Sequence, residues 1–243
     1  VVGLSDGHLV AVDIVSGTEI SRVKVSSHGI HDVSGRGSIL YAVVHDNRSF
    51  HRGNGTLHVV RSDAGKLEAV TSVSSPGRAH RYGYRRVFVG DGYLYTTRLW
   101  GINRYDLTDP LNPVLAKSHR TQASGWKQVV ANGSGLLLGV LGQVSNFNEN
   151  NLHVFRINRD GSFARNDNYV ESSEGGTQWV RESYRRDGSR SDRGSAVAIS
   201  LYNGLAYVAD REQGLKVLNY IPIDVLGVPP EIELQTTPPG VTD

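Results

Sequence analysis

The chain has 243 residues, 38% of them hydrophobic and 21% charged, with a formal net charge of +2. That length is enough for one large domain with a real core or two small ones. There is no cysteine, which excludes disulfides, thiolate metal sites and cysteine nucleophiles. Basic and acidic residues are interspersed without a block of one sign, so the electrostatic footprint of a nucleic-acid binder is weak and no nucleic-acid partner is expected.

In chain order, the first segment is "VVGLSDGHLVAVDIVSG". It opens on Val inside an apolar run, and the chain contains no Met. We read it as part of a longer or processed protein whose leader is not visible. No stretch approaches the ~20 consecutive apolar residues of a membrane-spanning helix.

The pattern then repeats. "HLVAVDIVSG", "TLHVVRSDAG", "GINRYDLTDP", "NLHVFRINRDG" and "GLKVLNYIP" each hold an apolar run, and most end in a turn residue. Before four of them stands a second motif, in "VSGRGSILYAVV", "FVGDGYLYTTRL", "VVANGSGLLLGVL" and "ISLYNGLAYVAD". There an apolar strand meets Gly, Asn or Asp and then a second strand, the chemistry of a tight hairpin. β-branched residues and short alternation favour strand, and no sustained helical spacing is present.

A repeat of roughly 45 residues with three or four strands has the length of a propeller blade. The expectation is therefore an all-β chain, a β-propeller of about five visible blades, possibly part of a larger ring. Blades are placed at 1–25, 28–73, 77–119, 124–170 and 191–224, the first lacking its innermost strand. A polar insertion of mixed charge occupies 171–195. The tail 225–243, "VLGVPPEIELQTTPPGVTD", reads as a linker and the start of a following domain.

"GYLYTTRLWGINRYDLTDPLNPVLAKS" and "GLAYVADREQGLKVLNYIP" resemble the LVIVD-type repeat of bacterial and archaeal surface proteins. The run "GSGLLLGVLGQ…NLHVFRI" is similar to secreted bacterial β-propeller proteins. The tail resembles lead-ins to immunoglobulin-like modules. Only the third repeat keeps the full "DLTDPLNP" turn, and Asn219 stands where the family pattern has Asp. The resemblance implies an exported, multi-domain, extracellular or cell-surface protein.

Several residues could carry chemistry. His28 and His31, with His45 and His51 downstream, could contribute imidazoles to a transition metal. Spacing alone fixes only two ligands, so ordinary turn and strand-end histidines are the favoured reading. The oxygen-rich loops Asp46–Gly55 and Asn146–Asn151 could hold calcium, but neither has EF-hand spacing. No cofactor is therefore expected. Asp106 and Asp109 stand in a turn whose relatives recur, so a structural role is expected rather than acid–base work.

Trp126 opens an apolar strand and is expected in the core; Trp100 is the third tryptophan, and Trp179 lies in the polar insertion. Trp179, Tyr184, Arg185 and Arg186 are thus the candidate partner-binding residues, able to stack on a ring or pair with a carboxylate. Three N-x-S/T sequons, starting at Asn47, Asn54 and Asn132, are read as chance. No nucleophile elbow, P-loop or dinucleotide fingerprint is present.

The functional expectation is a non-catalytic interaction or scaffold module that meets a protein or glycan partner through propeller-face loops. A polysaccharide-active enzyme or its accessory domain is the second reading. An assembly unit of an extracellular filament or surface layer is the third.

Overall fold

A computed structural model describes residues 1–45, 53–78, 85–90, 92–99, 101–120, 126–132, 135–141, 152–157, 163–165, 196–210 and 214–219. These residues form strands and turns, with no helix among them. The strands make five antiparallel sheets, each from one contiguous stretch of chain.

Sheet I contains β1 (Val2–Gly3), β2 (His8–Val12) and β3 (Glu19–Lys24). Sheet II contains β4 (Ile30–Arg36), β5 (Ile39–His45), β6 (Gly55–Asp63) and β7 (Lys66–Ser75). Sheet III is β8 (Val87–Gly90), β9 (Tyr93–Arg98), β10 (Gly101–Asp106) and β11 (Val114–Arg120). Sheet IV is β12 (Trp126–Ala131), β13 (Leu136–Leu141), β14 (Leu152–Ile157) and β15 (Phe163–Arg165). Sheet V is β16 (Ala196–Tyr202), β17 (Leu205–Asp210) and β18 (Gly214–Asn219). Within every sheet the strands pair in sequence order.

Turn chemistry explains the hairpins. Between β16 and β17, Asn203 and Gly204 take φ of 49° and 73°. Positive φ at both central residues is the two-residue turn whose twist matches the flanking strands. Ala64 and Gly65 do the same between β6 and β7, at 46° and 83°.

Consecutive sheets pack face to face, and each junction has its own core. Between I and II lie Leu9, Ala11, Ala42, Val60 and Leu67. Tyr41, Val43, Leu57 and Val59 of sheet II meet Val87, Leu94, Tyr105 and Leu107 of sheet III. Phe88, Tyr95 and Ile102 then meet Trp126, Val129 and Leu137 across the III–IV junction. Leu136, Leu138, Val140 and Val154 meet Ile199, Ala206 and Val208 across IV–V. Sheets II, III and IV are therefore covered on both faces. Burying one such large aliphatic or aromatic side chain contributes about 1.5–3 kcal/mol.

The leading strands also adjoin one another, β4 against β8, β8 against β12 and β12 against β16. Glycine permits close approach at one of these contacts: a Cβ on Gly90 of β8 would stand 3.0 Å from the Ala131 Cβ of β12. β4, β12 and β16 each carry a bulge near their start, which leaves one extra residue: His31, Lys127 and Val197. A bulge bends the strand and re-aims the side chains that follow it.

Candidate functional site

Polar groups concentrate where sheet II meets sheet III. Just beyond its bulge, β4 presents Asp32. Its Oδ2 accepts a hydrogen bond from the Val87 N–H of β8 at 3.0 Å. Its Oδ1 lies 3.9 Å from the Arg86 guanidinium. Burial pushes the Asp32 carboxyl above its ordinary value, because the charged form loses water; the Val87 N–H and the Arg86 charge pull the other way. The Arg86 N–H donates to Thr97 Oγ1 at 2.8 Å, and the Thr97 N–H returns to Arg86 O at 2.9 Å. These bonds extend the β8–β9 pairing one residue beyond β8.

Arg85 is the most deeply placed charge among the described residues, only 1% exposed. One guanidinium nitrogen donates to Ser75 Oγ at 3.2 Å, and the other donates to the Gly77 carbonyl. Its side chain runs over Gly55, where a Cβ would come within 2.5 Å of both Arg85 Nε and the Val44 carbonyl oxygen. Only glycine leaves that channel open. Around it a hydroxyl–amide network ties the end of β7 to sheet III. Ser75 Oγ and Thr96 Oγ1 are 2.8 Å apart. Asn103 Nδ2 donates to Pro76 O at 2.9 Å, and Ser118 Oγ donates to Asn103 Oδ1 at 2.7 Å. The Tyr105 hydroxyl donates to Ser74 O at 2.9 Å, and burial holds its ionisation above the ordinary value.

The seam orders backbone rather than aiming a reactive group outward. Among the described residues Asp32 faces a cation and a peptide N–H. Ser75 and Thr96 face each other and a guanidinium, which cannot act as a base.

The same clamp recurs one junction away. Gln128 of β12 follows its strand's bulge as Asp32 does, and its Oε1 accepts from the Ile199 N–H of β16 at 2.9 Å. Counting strand pairs from the hairpin turn, with the hydrogen-bonded Asn132–Leu136 and Arg86–Thr97 pairs included, Asp32, Arg86, Gln128 and Ala198 occupy one register position. Two of the four are acceptors that hold the first strand of the next sheet. Single-segment reasoning missed both Asp32 and Gln128. The signal was an acceptor at this position in two of the aligned hairpin motifs.

The residues singled out in the sequence do not converge on one site. His28 sits in the bend before β4, its N–H bonded to Ser26 Oγ at 3.0 Å and its ring beside Ser27 Oγ at 3.2 Å. His31 is the bulged residue of β4, and its Nδ1 accepts from the Arg85 N–H at 3.3 Å. His45 ends β5; its side chain lies outside the described residues, as does His51. Among the described residues no group of three His, Asp or Glu side chains could hold a metal. Trp126 is 2% exposed and packs in the III–IV core.

Asp106 and Asp109 cap a turn. Asp106 Oδ1 accepts from Thr108 N and Oγ1, both at 2.6 Å; Asp109 accepts from Leu111 N at 2.9 Å and Asn112 Nδ2 at 2.6 Å. Those bonds hold both carboxyls below their ordinary values. Asp13 makes the corresponding turn after β2, accepting from the Val15 and Ser16 N–H groups. Trp100, Asn146–Asn151, Trp179, Tyr184, Arg185 and Arg186 lie outside the described residues, as does most of the Asp46–Gly55 loop.

The two end faces of the series differ. On sheet I the face turned away from sheet II carries Glu19 and Arg22 as an ion pair at 2.7 Å, and His8 beside Asp6 at 3.0 Å. On sheet V the face turned away from sheet IV carries Tyr202, Leu205, Tyr207, Ala209, Leu215 and Val217, with Tyr202 74% and Leu215 67% exposed.

No family model matches the sequence. No curated protein matches it. Among solved structures, the chain is similar to the computationally designed Ika8 protein, with a TM-score of 0.50 and 13% identity over 89% of this chain and 54% of that one. The computationally designed Ika4 protein aligns with a TM-score of 0.46 and 10% identity over 84% of this chain and 98% of that one. At such identities the Ika8 likeness concerns the fold alone. The chain spans about half the length of Ika8.

Proposed function

We propose that the sheets are blades of a β-propeller, and that the chain is a non-catalytic interaction or scaffold module of an exported protein. The observation that carries the reading is the way successive sheets are joined. Each is a four-stranded or three-stranded meander in chain order. Their leading strands adjoin, and Asp32 and Gln128 fasten one leading strand to the next. Radial packing around an axis is the arrangement in which meandering sheets bury both faces against their neighbours.

The carboxyls of Asp32, Asp106 and Asp109 are engaged in holding backbone, which supports a binding or scaffold role over the polysaccharide-active alternative. The partner is a protein or glycan at the cell surface, met by loops of one propeller face that include residues 171–195. Trp179, Tyr184, Arg185 and Arg186 make that contact.

Two measurements test the reading. Electron-microscopy class averages are expected to show sheets radiating from an axis; sheets stacked in a line would refute the propeller. Glycan-array and cell-surface binding are expected for the intact chain and lost on deleting 171–195 with the β circular dichroism retained. Undiminished binding after that deletion would remove the loop from the partner site.

A further inference from the structure

The entry of β8 is held by two consecutive side chains of β4. The Arg86 N–H bonds Thr97 of β9. Successive N–H groups of a strand point to opposite edges, so those of Arg85 and Val87 point the other way, towards sheet II. There His31 Nδ1 accepts from Arg85 at 3.3 Å and Asp32 Oδ2 accepts from Val87 at 3.0 Å. Consecutive residues of a regular strand face opposite ways. The bulge of β4, whose extra residue is His31, lets both reach β8. At the IV–V junction the corresponding acceptor is the Gln128 amide on the Ile199 N–H, a group that does not titrate.

A ring nitrogen that accepts from an N–H carries no proton, so the imidazole proton of His31 belongs on Nε2. A proton added at Nδ1 turns the acceptor into a donor that faces a donor. We infer that His31 is an acid-release latch on the II–III junction: protonation at Nδ1 ends its bond to the Arg85 N–H and loosens the entry of β8, while the IV–V junction holds. Release at this point matters because the Arg85 guanidinium bonds Ser75 and Gly77. Slack in its backbone slackens the tie between β7 and sheet III.

The groups around the ring set the balance. The approach to β8 brings the Arg85 and Arg86 cations, which oppose an imidazolium. On β4 itself Asp32 favours one, and His28 stands in the bend before the strand. β1 carries no titratable side chain. On β5 the residues paired beside His31 are Val43 and Val44, with Tyr41 further along. The Asp32 clamp responds to pH in the opposite sense, because burial favours its neutral form. A variant at His31 alone therefore separates the two.

Nitrogen NMR of the imidazoles and amide hydrogen exchange on the full chain test the latch. At about pH 8 the His31 proton is expected on Nε2. With each exchange rate corrected for its intrinsic pH dependence, protection over residues 85–90 is expected to fall at least about 10-fold between about pH 8 and about pH 5. Protection in β16 is expected to stay unchanged. His31→Asn keeps an acceptor oxygen that does not titrate, and it is expected to abolish the fall. If that variant does not fold, the contrast between β8 and β16 in the unsubstituted protein decides. Protection over 85–90 that is equal at the two pH values, a loss shared equally by β16, or an equal loss in His31→Asn would overturn the proposal. A His31 proton on Nδ1 at pH 8 would overturn it as well.

Discussion

Sheet III and sheet V share a ladder but not an environment. In β9 of sheet III, Leu94, Tyr95, Thr96 and Thr97 are all buried, because neighbours cover both faces. In β17 of sheet V Ala206 and Val208 are buried, whereas Leu205, Tyr207 and Ala209, equally apolar, are not. Burial here follows from position in the series, not from the strand's own sequence. A strand with apolar residues on both faces is suited to the interior wherever it occurs.

The largest way to sharpen this comparison is a paired truncation. Ile102→Ala, at a fully buried position in sheet III, is expected to cost ~2–5 kcal/mol of unfolding free energy in urea titrations. Leu215→Ala in sheet V, measured in dilute protein, is expected to cost less than about 0.5 kcal/mol. Equal losses would mean that the two sheets are equally enclosed.

Next comes the clamp between leading strands. Gln128→Ala leaves the Ile199 N–H without its side-chain acceptor and is expected to cost about 1–3 kcal/mol. Gln128→Glu, which keeps an acceptor, is expected to cost less. If the two variants are equally stable, the bond contributes nothing.

Asp32→Asn probes the same device through pH. The folded chain holds the Asp32 proton more tightly than the unfolded chain, because burial raises its pKa. Between the ordinary carboxylate range and that raised value the folded state binds more protons, so this group's contribution to stability falls as pH rises. Asparagine can still accept from Val87 N–H and carries no charge. The stability of the variant relative to the original is thus expected to increase from about pH 4 towards neutrality. A difference that stays constant with pH would refute the assignment.

The smallest effect belongs to sheet I. Arg22→Ala removes an exposed ion pair, and the unfolding midpoint is expected to stay within experimental scatter. A clear loss would show that the outward face of sheet I is covered.

The sequence made the all-β character legible because hairpins leave a local signature. Asn203-Gly204 and Gly92 sit at turns where the apolar runs break, and the backbone there takes the positive φ those residues favour. Asp106 and Asp109 were also legible as turn caps, since Asp13 has a like setting. The seam was not legible. Arg85 reaches Ser75 and Gly77, and Asn103 reaches Pro76, across gaps that no periodicity encodes. His31 illustrates the same limit. The sequence favoured an ordinary strand-end histidine over shared ligation with His28, but not the partner that a one-residue bulge gives its ring, the Arg85 backbone N–H.

The contiguous make-up of each sheet bears on how the protein is made. A four-stranded sheet such as Ile30–Ser75 closes only pairings between neighbouring stretches of chain. The described pairings all join consecutive strands, which lowers the loop-closure entropy that slows most all-β proteins. The strands of each sheet are thus made together, and Asp32 comes earlier in the chain than the Val87 N–H from which it accepts. The order in which the sheets are synthesised is also the order in which they pack along the series.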